Sequence, residues 1–121
     1  MDKRAVFDRV KNHLLTQMKQ SMADRAHVGK TCAYRGENSL MCAIGCLIAD
    51  EHYSPLLEAQ SVACGQVWTA LKHSGIPMHV DGISDMLNEL QTIHDFGIPN
   101  DWPSQLLAME LEWFGTDLAG A

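Results

Sequence analysis

The chain has 121 residues, 46% of them hydrophobic and 20% charged, which excludes wholesale disorder and fits one small domain (1–121) with a single core. Its net charge of -6 is unevenly spread: residues 1–30 hold 7 Lys/Arg against 3 Asp/Glu, whereas residues 31–121 hold only Arg35 and Lys72 against 12 acidic residues. Phosphate backbones are neutralised by clustered Lys and Arg, so an acidic body of this kind disfavours general nucleic-acid binding.

Residues 1–30 read as a basic N-terminal helix and loop. Val6, Phe7, Val10, Leu14, Met18 and Met22 recur at spacings of three and four, which predicts a helix over 3–22 with one apolar stripe. Arg4 and Lys11 share a flank of it and read as a solvated basic edge. The start, Met1-Asp2-Lys3-Arg4, has no signal-peptide h-region, and no apolar run approaches the roughly 20 residues of a membrane span. A cytoplasmic placement away from membranes is the expectation. Four cysteines (Cys32, Cys42, Cys46, Cys64) then read as free thiols in a reducing compartment.

Residues 31–53 are expected to form a small β-hairpin and a cysteine-rich motif. Thr31 to Arg35 is partly β-prone, Gly36-Glu37-Asn38-Ser39 is turn chemistry, and Leu40 to Ile48 is almost wholly apolar. Ala43 and Gly45 in that run suggest the close passage of another backbone or a ligand. Residues 54–115 read as a helical body. Ser54-Pro55 is an N-cap signal. A helix over about 58–73, carrying Val62, Ala63, Cys64, Val67, Trp68, Ala70 and Leu71, is apolar round most of its circumference and is expected to be central and buried. It stops at Ser74-Gly75. The next helix spans about 83–94, with Ile83, Met86, Leu87, Leu90, Ile93 and His94 on one side and Asp81 or Ser84 as its cap. A last helix starts at Asn100 or Asp101, puts Trp102, Leu106, Met109 and Trp113 on one face, and ends at Gly115. Residues 116–121 read as a frayed tail. The fold class is mainly α or α+β: four to five helices around a central buried helix, with one hairpin.

Several groups have the composition of chemical sites. Cys32, Cys42, Cys46 and His52 supply the ligand types of a Cys3His zinc site, but their spacing lacks the usual pair of close chelating turns, and packing in the core is the preferred reading. Cys32, Cys42 or Cys46 with His52 or His94, oriented by Asp95, has the ingredients of a nucleophilic triad, with no protease-like signature around any cysteine. Arg35, beside Tyr34 and in an acidic setting, either pairs internally with Asp50, Glu51 or Glu58 or receives an anionic ligand. If it receives one, Tyr34, Arg35, His52, Tyr53, His94 and Asp95 are the candidate ligand-binding residues, with Trp68 as a further stacking neighbour.

The stretch Cys32–Glu58, C-A-Y-R-G-E-N-S-L-M-C-A-I-G-C-L-I-A-D-E-H-Y-S-P-L-L-E, resembles a pattern in small proteins of tailed bacteriophages and their bacterial hosts that carry a domain of unknown function. In those, C-x-Y-R and a turn lead to C-A-[IV]-G-[CA]-L-I and then to D-E-x-Y. Leu90-Gln91-Thr92-Ile93-His94-Asp95, followed by Trp102, is similar to a second signature of the same proteins. Cys32, Tyr34, Arg35, Cys42, Gly45, Leu47, Asp50, Tyr53, His94 and Asp95 are the matched positions. The proline expected after the isoleucine of the first motif is replaced here by Ala49. A second family with a C-A-L-G-A-L core shares the C-A-I-G-C-L element. The resemblance implies a shared fold and a phage-type origin, and it implies no activity.

The function expected from all this is a non-enzymatic accessory protein that binds a host protein or a small anionic signalling molecule and counters host defence. The alternatives are sequestration of a nucleotide-like ligand by Arg35 and His94, and a small cysteine–histidine enzyme or zinc protein. Surface Met and Trp positions would permit a homodimer without requiring one.

Overall fold

The computed structural model describes residues 1–25, 29–58, 60 and 64–115, with backbone only at 24–25 and 29–31. The chain is mainly α-helical. Helix α1, Lys3–Gln17, starts where the Asp2 carboxylate accepts the Ala5 N–H at 2.8 Å. It buries Val6, Phe7, Val10 and Leu14. It ends five residues before the predicted boundary because Met18 turns into the left-handed region (φ 50°). The Gln17 side chain fixes that end, accepting from the Met41 N–H (3.0 Å) and donating to the Met41 carbonyl (2.9 Å).

Strands β1 (Met22–Arg25) and β2 (Gly29–Cys32) pair antiparallel in the register Met22 to Cys32. Only the end of β2, Thr31 and Cys32, falls in the 31–53 region to which the sequence assigns a hairpin, and the strand it pairs with lies outside that region. Within that region the described pairing is one bridge, Arg35 to Met41, closed by Gly36 N–H to the Leu40 carbonyl (2.9 Å). The apolar run from Leu40 forms a tight turn and a 3-10 turn (Gly45–Leu47) rather than a strand. Gly45 explains why. A Cβ there would lie 1.9 Å from the Tyr34 carbonyl oxygen, so the neighbour predicted from the small residues is the Tyr34 backbone.

Ser54-Pro55 caps only a single 3-10 turn, Pro55–Leu57. Helix α2 runs from Gly65 to His73; Val62 and Ala63 of the expected longer helix lie outside the described residues. Only Val67, Ala70 and Leu71 of α2 are buried, so it packs by one face. The centre of the fold belongs instead to α1, α3 (Ile83–Phe96) and α4 (Trp102–Phe114), which approach one another pairwise. Gly82, in the left-handed region and without a side-chain cap, starts α3 in place of Asp81 or Ser84. A 3-10 turn, Pro99–Asp101, leads into α4. The expected frayed tail lies outside the described residues.

The basic edge of α1 is not a solvated face. Arg4 and Lys11 both close on the buried Glu110 of α4, Lys11 at 2.9 Å. These hydrogen bonds hold the Glu110 carboxyl below its ordinary range, the Lys11 bond contributing most. Among the described residues no helix is long and apolar enough to cross a membrane.

Candidate functional site

The residues with the richest chemistry are gathered into two internal clusters. In the first, Arg35 stacks over the Tyr53 ring with its guanidinium carbon 4.4 Å from the centroid. Its Nη2 donates to the Ile48 carbonyl (2.8 Å) and its Nη1 pairs with Asp50 (2.7 Å). Glu58 accepts from the Tyr34 N–H (2.9 Å), the Arg35 N–H (3.1 Å) and the Tyr53 hydroxyl (2.6 Å). The Tyr34 hydroxyl donates to the Gln60 carbonyl, and burial pushes it well above its ordinary range. These bonds join the C-x-Y-R segment to the two turns that follow it. Arg35 and Asp50 also line a small cleft of about 360 Å³ with Gly36, Ser39, Leu40 and Met41.

The second cluster surrounds His94, which is fully buried and stacked on Trp102 with centroids 5.6 Å apart. The Ser21 backbone N–H donates to His94 Nε2 (2.8 Å), so that nitrogen must present its lone pair. The proton therefore sits on Nδ1, which donates to Asp95 Oδ1 at 2.7 Å. Gln91 continues the network, donating to Asp95 Oδ1 (2.7 Å) and accepting the Ile44 N–H (3.0 Å). Gln20 caps the end of α3 through the His94 and Gly97 carbonyls. The two motifs of the sequence thus meet where Gln91 accepts the Ile44 N–H and the Cys32 thiol lies against the Asp95 carbonyl.

Cys32, His94 and Asp95 place ligand-type atoms within 4.8 Å of one another. This grouping is also the triad combination foreseen from the sequence. Both ring nitrogens of His94 are committed, however, which leaves no lone pair for an ion or for deprotonating a thiol. Burial pushes the Cys32 thiol up to about 11, the Asp95 carboxylate adding to the shift. Burial likewise raises the Cys46 thiol to about 12 and that of Cys42 further still. All four cysteines are unpaired. The zinc set Cys32, Cys42, Cys46 and His52 does not converge. Cys42 accepts the Gly45 N–H (3.3 Å), Cys46 donates to the Ala43 carbonyl (3.1 Å), and His52 faces His73 instead. Of the six candidate ligand-binding residues, Tyr34, Arg35 and Tyr53 share Glu58, His94 and Asp95 share a separate network, and His52 stands apart.

Two open features lie outside those clusters. His52 lines a cavity of about 660 Å³ between the 52–57 segment and α2, shared with Ser54, Leu57, Cys64, Thr69 and His73. The other is a cleft of about 360 Å³ between α3 and α4, walled by Ile93, Phe96, Ala108 and Met109, with Thr92, Gln105 and Glu112 as its polar groups. Phe96 on its lip is 84% exposed, and Ile98 beyond it is 60% exposed. The Gln105 side-chain oxygen is buried there and has no donor among the described residues. Sequence reasoning passed over Phe96. The signal was its phase: it falls off the stripe running from Ile83 to His94, so a helix extended to residue 96 turns it outward. Comparison of the chain with protein-family models, with curated proteins and with solved structures finds no match.

Proposed function

We propose that this chain is a non-enzymatic binding protein that captures a basic, amphipathic segment of a partner protein in the α3–α4 cleft. One observation carries the reading: a large aromatic, Phe96, stands exposed beside an unfilled apolar cleft whose buried Gln105 oxygen lacks a donor. Exposed apolar side chains beside a groove are a common mark of helix-in-groove recognition. The partner's charge follows from the sequence, since no Lys or Arg occurs after Lys72, and both α3 and α4 are acidic. A cationic segment would be drawn to that face and would place donors near Gln105 and Glu112. An acidic face also disfavours pairing with the same face of a second copy. The resemblance to small phage proteins supports an accessory role in a host cytoplasm, countering host defence by occupying a basic host surface. The commitment of His94 and the raised thiols argue against a poised catalytic group.

The test is calorimetric titration with two amphipathic peptides of about 18 residues, long enough for a helix, one Leu/Lys and one Leu/Glu. The Leu/Lys peptide should bind at least about tenfold more tightly, and Phe96→Asp should abolish the difference. Equal affinity for both peptides would refute the reading. Self-association of the free chain that Phe96→Asp removes would assign the cleft to a homodimer instead.

A further inference from the structure

We propose that His52 and His73 form a binding site for a late first-row divalent cation such as Zn²⁺, Ni²⁺ or Cu²⁺. The two imidazoles come from separate elements, His52 from the 3-10 turn Asp50–His52 and His73 from the last turn of α2. Their ring centroids are 5.5 Å apart and the planes are inclined by 59°. A metal–nitrogen bond of about 2.0–2.1 Å puts two imidazoles on a tetrahedral ion with centroids ~5 Å apart, close to the observed spacing, and rotation of the two rings would aim a nitrogen of each at a shared ion.

The pair is held in place by its neighbours. Ser74, next to His73, accepts the Ala49 N–H through its hydroxyl (2.9 Å) and donates to the Ala70 carbonyl (2.7 Å). The Ala49 carbonyl in turn accepts the His52 N–H (2.9 Å). One serine thus anchors both histidine-bearing elements.

The ring nitrogens are also available. His13 spends a nitrogen on the Met41 carbonyl and His94 spends both of its own, whereas the rings of His52 and His73 have no hydrogen-bond partner among the described residues. The rings open on the cavity of about 660 Å³, which has room for water or an anion on the remaining coordination positions. No Lys or Arg lines it, and the nearby Lys72 lies instead over the Trp68 ring at 5.5 Å. Imidazole nitrogens select these cations over Mg²⁺ or Ca²⁺, which take oxygen ligands.

The experiment titrates the full chain with Zn²⁺ alone and follows the histidine ring resonances by NMR alongside calorimetry. Micromolar binding is expected, with the His52 and His73 signals moving together and the His13 and His94 signals unmoved. His52→Gln and His73→Gln should each weaken Zn²⁺ binding about tenfold or more, and far-UV circular dichroism should show that both variants remain folded. Zn²⁺ affinity that persists in the double variant, shifts confined to other residues, or no binding below millimolar Zn²⁺ would overturn the proposal.

Discussion

The region around Arg35 and His94 and the outer face of α3 and α4 differ in how their polar and apolar groups are used. In the first, most conspicuous polar groups have a partner within the chain: Glu58 serves three donors and His94 uses both nitrogens, while Arg35 Nε and Trp102 Nε1 are buried without one among the described residues. In the second, the outer side of the helix that carries the second motif leaves Phe96 in solvent, and the Gln105 oxygen is without a donor among the described residues. Buried polar groups are costly unless paired, so a fold of many short turns consumes them as struts. An exposed aromatic beside an open cleft is a better guide to a binding surface than reactive-looking groups that are already paired.

That comparison can be broken at either end, and the largest effects should come from the strutted region. Gly45→Ala drives a methyl into the Tyr34 carbonyl, which cannot move away without losing the bond it accepts from the Cys42 N–H. Denaturant unfolding should show a loss of about 3 kcal/mol or more. His94→Leu leaves the buried Ser21 N–H unpaired and takes from Asp95 Oδ1 one of its two donors; roughly 2–3 kcal/mol should be lost in the same measurement. An unchanged midpoint would mean that His94 is not a strut. Glu58→Gln keeps the shape but removes the charge that serves three donors, and a drop of about 1–2 kcal/mol is expected.

Glu110 adds a pH signature. Its folded carboxyl titrates below the ordinary value of 4.5, so its stabilisation is complete above that pH and is lost as pH falls through the lower folded value. Glu110→Gln should therefore cost about 1 kcal/mol near neutrality, where Arg4 and Lys11 are partly exposed. The gap from the parent chain should close in acid. A gap that widened in acid would reverse the assigned sign. The smallest stability effect belongs to Phe96→Ser, within about 0.5 kcal/mol, because the ring is already in water. A large loss there would make Phe96 part of the core and remove the contrast between the two regions.

Much of the core was legible in the sequence because helical periodicity reports one buried face directly. The stripes of α1 and α3 led to Val6, Phe7, Val10 and Leu14 and to Ile83, Met86, Leu87 and Leu90, all of which are buried. Short turns have no such period. Leu40 to Ile48 is apolar enough for a strand, and only the approach of Tyr34 to Gly45 makes it a turn. Helix α2 was misplaced because its apolar content suggested all-round burial, whereas Gln66, Thr69 and Lys72 leave one side in solvent. Pairing across the chain was legible only in part. An internal partner for Arg35 could be anticipated from the abundance of carboxylates, but the union of His94 with Ser21 spans 73 residues and is written in no local pattern. The same holds for His52 and His73, whose proximity depends on Ser74 holding Ala49.

The most direct test of the contrast is a residue-resolved ¹⁵N NMR titration of the chain with the Leu/Lys amphipathic peptide. Shifts concentrated at Thr92, Phe96, Gln105, Ala108 and Glu112, with Arg35, Tyr53 and His94 unmoved, are the predicted result. Shifts centred on Arg35, Asp50 and Tyr53 would contradict the account, because they would show that the polar cluster is the working surface and the α3–α4 cleft is not.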